Sequence, residues 1–209
     1  MAAQITHIAL AEKIFDKYFI KFNKRDFYIG TTFPDIRYLG HIQRELSHFK
    51  NVSFQDVIKQ DNSFKAGVLY HSFIDEFREQ WMTDHGIYDL IPRTHRATQA
   101  VKFFEDRFFY SDIADWNIII GFYDEVLEEE LDFNMESKVI SVWHKALAEY
   151  FQSAPSVESM TRIIEAIHIP ETERDEIIDL INVIESNQKL VNVIKDFQSS
   201  FNLLIDSKL

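Results

Sequence analysis

The chain has 209 residues and a mass of 24.8 kDa, enough for one domain with its own core. It has no cysteine, which excludes disulfide frameworks, thiolate zinc sites and cysteine nucleophiles, and its five glycines and four prolines argue against a turn-rich β-fold or a glycine-rich phosphate loop. Its 22 basic residues face 34 acidic ones, a net charge of −12, so broad electrostatic binding to nucleic acid or an anionic membrane is not expected, although metal ions can still bring a phosphoester to an acidic protein.

Apolar residues recur with helical spacing nearly throughout, which predicts an all-α fold, a single helical domain over 1–209 with about eight or nine helices. The expected helices are 8–23, 35–48, 53–59, 64–84, 93–110, 112–129, 134–153, 156–167 and 171–205. Asn62 or Ser63 is placed to cap the helix over 64–84, Ser156 and Glu158 give an acidic first turn after Pro155, and Glu171 to Glu173 do the same after Pro170. Breaks are expected at Gly30–Pro34, Gly86–Pro92, Asp132–Asn134 and Pro155. The start MAAQITHIALAEKIF lacks a basic n-region and a signal-length apolar run, and no stretch has the roughly 18 apolar residues of a membrane span, so a cytoplasmic protein without a membrane span is expected. Six of the eight histidines precede residue 111, which marks 1–155 as the site-bearing part and 156–209 as supporting helices. In the latter, Ile177, Ile178, Leu180, Ile181, Val183, Ile184, Leu190, Val191, Val193 and Ile194 are more apolar than one exposed face needs, which suits either core or a homodimer seam.

The chain has no GxGxxG, GxxxxGK[ST], GxSxG or HExxH motif, and in place of an adjacent His-Asp pair it has only the reversed Asp84–His85. What remains is a constellation: His7 early in the first helix, Asp35 in GTTFPD (30–35), His48 in RELSHF (44–49), and His71 with Asp75 in AGVLYHSFID (66–75). On a helix His71 and Asp75 share one face with Cβ atoms about 5–6 Å apart, close enough to grip one metal ion. Mixed His/Asp ligands from separate segments suit zinc and similar ions, and His41 competes with His48 for the third segment. Each residue alone has an ordinary explanation, as a helix cap, a first-turn acid or a satisfied histidine; the combination carries the reading. Gly67, Arg78 and the His/Asp pair form one stripe, with Gly67 expected to leave open space over the His71 ring. Arg78 is a candidate for phosphate contact, or for an exposed salt bridge to Glu79 or Glu105; Tyr70, Trp81, Phe33 and Tyr38 are candidates for a substrate pocket, though aromatics at helical spacing are more often core.

This set, over roughly residues 5–80, resembles the zinc-dependent phospholipase C family, an all-helical fold shared in outline with the single-strand-specific zinc nucleases. The resemblance implies a phosphodiesterase acting on a small phosphoester or phospholipid-type substrate, with His7, Asp35, His48, His71 and Asp75 as metal ligands and Asp75 bridging two ions. It departs from the family in lacking an N-terminal Trp ligand and an H-x-x-x-E pair: His95 is followed by Gln99 and His144 by Ala148 at that offset. One or two divalent ions, zinc or else Mn, Fe or Ni, are therefore expected in place of three, activating a water that Asp35 orients. AGVLYHSFID, the Gly30-to-Asp35 spacing and Asp106 in EDRFF are similar to acyl carrier protein phosphodiesterases, whose acidic partner requires a local basic patch such as Arg93, Arg96 and Lys102. The alternative from another class is a non-catalytic helical binding or structural protein with a degenerate metal site, which metal content would separate from the hydrolase.

Overall fold

Two glycines set the central crossing of the molecule. In the computed structural model, which describes residues 4–40 and 42–208, helix α2 (Lys24–Thr32) lies against the 22-residue helix α6 (Ser63–Asp84). A Cβ on Gly30 would stand 2.1 Å from the Phe64 carbonyl oxygen, and one on Gly67 would stand 2.1 Å from that of Phe27 and 2.8 Å from the Thr31 nitrogen. Only glycine at both positions allows the two backbones to touch. Gly67 therefore leaves no open space over the imidazole; the α2 backbone fills it. Gly30 does not break the chain either, since α2 runs through it to Thr32 before a 3-10 turn at Phe33–Ile36.

Around this pair the helices α1 (Gln4–Ile14), α3 (Arg37–Gly40), α4 (Arg44–Ser47), α5 (Phe54–Ile58), α7 (Ala97–Phe109), α8 (Trp116–Gly121), α9 (Glu128–Leu131), α10 (Ser137–Phe151), α11 (Val157–Ala166), α12 (Glu171–Ser186) and α13 (Gln188–Asp206) complete the all-α fold. Helix makes up 75% of the described residues, with no strand among them, which meets the expected fold class. No described helix is long and apolar enough to cross a membrane. One hydrophobic core runs from Ile5 to Ile205.

The expected helix over 64–84 is α6, capped by the Asn62 side chain, which accepts from Lys65 N at 2.8 Å. The departures have local causes. Helix α1 begins at Gln4, not residue 8, because the Asp106 carboxylate caps it from α7, accepting from Thr6 N and Thr6 Oγ1 at 2.8 Å each. It ends in a π-helical turn at Phe15–Phe19. Helix α2 was not expected; Asn23 caps it by accepting from Asp26 N at 3.2 Å. The expected helix over 35–48 is divided into the 3-10 turn, α3 and α4. The one over 112–129 ends at Gly121, and α9 starts separately where Glu130 accepts from Leu127 N at 2.8 Å. The one over 171–205 is two helices, because the Asn187 side chain accepts from Lys189 N and Leu190 N and starts α13. Of the apolar residues of α12 and α13 weighed as a dimer seam, Ile177, Leu180, Ile181, Ile184, Leu190, Val191 and Ile194 are buried in the chain's own core, Ile178 and Val193 are half-buried, and Val183 is exposed.

Gly67→Ala is expected to lower the unfolding free energy by about 3 kcal/mol, because the clash is with backbone that cannot rotate away. Gly121→Ala, where a Cβ meets nothing within 4 Å, is expected to be neutral or to stabilise by up to about 1 kcal/mol. Paired thermal melts check this contrast; equal melting temperatures for the two variants would mean that the α2–α6 contact does not constrain the fold.

Candidate metal centre

Five side chains from four segments meet beneath the α2–α6 crossing. Helix α1 brings His7, the 3-10 turn brings Asp35, the end of α4 brings His48, and α6 brings His71 and Asp75. Each is held from behind. The glycine contact puts Thr31 O 2.8 Å from His71 Nδ1. A carbonyl only accepts, so the His71 proton is on Nδ1 and the Nε2 lone pair faces the cluster. Ser47 Oγ reaches Pro34 O at 3.2 Å and lies 3.0 Å from His48 Nδ1, which holds the ring with its Nε2 edge toward the cluster. Gln4 Nε2 donates to Asp35 Oδ2 at 2.7 Å. Asp106 anchors the turn carrying His7, whose ring stacks on His71 at 4.3 Å and 15°.

The facing atoms lie at a consistent spacing. His48 Nε2 is 3.2 Å from His71 Nε2 and 3.5 Å from Asp35 Oδ1. Asp75 Oδ2 is 3.7 Å from His71 Nε2, and its Oδ1 is 3.4 Å from His7 Nε2 and 3.2 Å from Lys102 Nζ. Two groups can each hold an ion, His7–His71–Asp75 and Asp35–His48–His71, and both use His71. Burial, with the neighbouring His7 ring, lowers His71 to about 3, so it is a neutral imidazole at pH 7. Burial by itself raises the Asp75 carboxyl, but Lys102, His7 and His71 hold it well below the usual carboxylate range. Burial raises Asp35 in the same way, and its surroundings, a hydrogen bond from His48 included, bring it well below that range.

The cluster is closed on every side but one. Asp35 is fully buried at the inner end, which corrects the expectation that it orients an attacking water: a group with no exposure and one oxygen held by Gln4 does not meet the solvent side. The Asp75 side chain is 16% exposed and opens into a cleft of about 520 Å³ lined also by Arg44, Asn51, Glu76, Thr98 and Lys102. A smaller recess of about 170 Å³ reaches His48 past Arg44 and Ser72.

Other expectations are also corrected. Tyr70 is not a pocket residue: it is fully buried, packed on Phe19 and Phe27, with burial raising its hydroxyl well above the ordinary value. Arg78 does not reach the cleft. It is buried, its Nε and one terminal nitrogen donate to the two oxygens of Glu105 at 2.7 and 2.8 Å, and the other contacts Glu79 and Tyr88. The salt bridge weighed as an exposed one is thus a buried bidentate pair joining α6 to α7. Arg93, Arg96 and Lys102 do not form a free basic patch, since they pair with Asp89, Glu173 and Asp75. His95 is exposed near Glu173, His85 stacks on Trp81, and His144 pairs with Glu130 at 2.8 Å, so none of the three joins the cluster. His41 lies outside the described residues. Gln4, Thr31, Ser47 and Lys102 complete the site, and no local pattern in the sequence assigns them to it. No family model, curated protein or solved structure matches the chain.

Arg78→Met is expected to destabilise the fold by about 3–5 kcal/mol, because it leaves the fully buried Glu105 carboxylate without its partner. Denaturant titration measures this. A loss below about 1 kcal/mol would mean that Arg78 is held loosely enough to serve the cleft.

Proposed function

We propose that this chain is a metal-dependent phosphoester hydrolase of the phospholipase C-like kind, with Asp35, His48 and His71 as the principal ligand set and Asp75 and His7 beside it. The observation that carries the reading is the spacing of the donors. Carboxylate-to-imidazole separations of 3.5 and 3.7 Å are long for hydrogen bonds, whereas a tetrahedron with bonds of 2.0–2.2 Å has edges of about 3.3–3.6 Å. His71 Nε2, a bare acceptor because its Nδ1–H is bonded to Thr31 O, also faces His48 Nε2 at 3.2 Å, a lone pair that a cation can take. These groups combine imidazole nitrogen with carboxylate oxygen, which suits zinc and also Mn or Fe.

A divalent ion held there supplies a Lewis acid that lowers the pKa of water to about 7 and neutralises phosphoryl oxygens. The chain's own residues do the rest. Thr31 O fixes the tautomer of His71, and Ser47 holds the His48 ring in place. The packed α2 backbone over Gly67 keeps water from the inner side. Asp75, at the mouth of the cleft, receives the substrate side and orients water in the role the sequence had suggested for Asp35. The polar walls of the cleft, with Asn51, Thr98 and Arg44, suit the polar part of a phosphoester. The resemblance of His7, GTTFPD, His48 and HSFID to the zinc-dependent phospholipase C family supports the same chemistry.

Purified protein is expected to carry transition metal, and His71→Ala/Asp75→Asn to lose it, as read by elemental mass spectrometry. Absence of metal from both after incubation with Zn or Mn would end the hydrolase reading and leave a helical binding protein. Ser47→Ala is expected to weaken zinc affinity about tenfold while leaving the fold intact, because it frees the His48 ring to turn; unchanged affinity in a chelator competition would remove Ser47 from the site.

A further inference from the structure

One or two ions were the expectation from the sequence, and the arrangement has ligands for only one. His71 Nδ1 is bonded to Thr31 O, so the ring has a single lone pair, at Nε2, and an imidazole nitrogen binds one ion. Both three-residue groups use that nitrogen. If it serves the group with Asp35 and His48, the other group keeps only His7 and Asp75 Oδ1, fewer than the three protein ligands usual in a catalytic zinc site.

The place beside that oxygen already has a cation. Lys102 Nζ lies 3.2 Å from Asp75 Oδ1, and the Lys102 side chain is 10% exposed. An ammonium so enclosed needs its counter-ion. A divalent ion on the same oxygen would face the lysine charge at close range with little solvent to screen it. The cleft is lined by Lys102 and Arg44 and by the acids Asp75, Glu76 and Glu79; Asp75 is paired with Lys102, Glu79 with Arg78, and Glu76 accepts from Asn51 N. The Arg44 side chain has no hydrogen bond or ion pair among the described residues, unlike those of the other eight arginines. In a chain of net charge −12, this guanidinium and the enclosed ammonium on one cleft are the groups able to take an anion.

We infer that the centre is mononuclear, that Lys102 stands in place of a second metal ion, and that Lys102 and Arg44 together take the phosphoryl oxygens of the substrate from the cleft. This rests on the metal-centre reading above. The polar walls commit the site to a small, water-soluble phosphoester.

The test uses the full chain loaded with zinc and passed through gel filtration, with zinc counted by elemental analysis and inorganic phosphate binding followed by calorimetry. One zinc per chain is expected in the wild type and in Lys102→Met, Lys102→Arg and Arg44→Ala. Phosphate affinity is expected to fall at least tenfold in Lys102→Met and several-fold in Arg44→Ala, and to be largely kept in Lys102→Arg. Two zinc ions in the wild type overturn the inference and leave the metal centre standing. No phosphate binding by the zinc-loaded wild type, or equal affinity in the folded variants, also overturns it. No zinc at all defeats the metal-centre reading instead. Arg44 is exposed, so Arg44→Ala remains a usable variant if Lys102→Met fails to fold.

Discussion

The structure depends on the contact between two helix backbones at Gly30 and Gly67. Side chains normally hold helix axes about 8–10 Å apart; glycine at both positions lets α2 and α6 come closer. This closeness brings the last turn of α2 within hydrogen-bond reach of a side chain on α6. The bond from His71 Nδ1 to Thr31 O follows from it, and so does the direction of the His71 lone pair. The 3-10 turn that carries Asp35 is the direct continuation of the same α2 backbone. A contact with no chemistry of its own thus aims the chemistry of two other residues, His71 and Asp35.

The second constraint is charge. Buried His, Asp, Lys, Arg and Glu side chains cluster on α6 and α7, two helices otherwise occupied with the core. An isolated buried charge costs several kcal/mol, so each needs a partner. Arg78 with Glu105 answers this need within the protein, through a bidentate pair. Asp75 answers it with Lys102 and His7. The Asp35–His48–His71 group differs in turning the Nε2 lone pair of His71 toward a second imidazole, 3.2 Å away. That difference separates a structural ion pair from a candidate ligand set, although both are made of the same residue types.

Much of this was legible in the sequence where one segment was sufficient to decide it. The span of α6 followed from its apolar period and Asn62, and His71 and Asp75 share a face because they are four apart. The glycines misled for a physical reason. A glycine inside a helical pattern reads as a break or a space, whereas here another backbone occupies the space, and nothing near residue 67 in the sequence indicates what packs there. The same limit applies to Lys102 and Gln4, which reach the site from α7 and from the first turn of α1. Arg78 lies on the same helix as Asp75, yet Glu105 on α7 determines where its guanidinium points. The shared use of His71 by two groups is likewise invisible until its other nitrogen is seen bonded to Thr31.

The Asp106 anchor also bears on the order in which the molecule assembles. The carboxylate that starts α1 and fixes the turn carrying His7 is 100 residues further along the chain. The other end of that segment, at Lys17 and Tyr18, closes on Asp206 of α13. Contacts this distant form late, because loop closure precedes any gain from them. During synthesis the GTTFPD and HSFID segments emerge and can pair through α2 and α6 while α1 still lacks its cap. The His7 side of the pocket is therefore finished last, and an ion arriving before the C-terminal helices have docked meets Asp35, His48 and His71 with their remaining wall open to water.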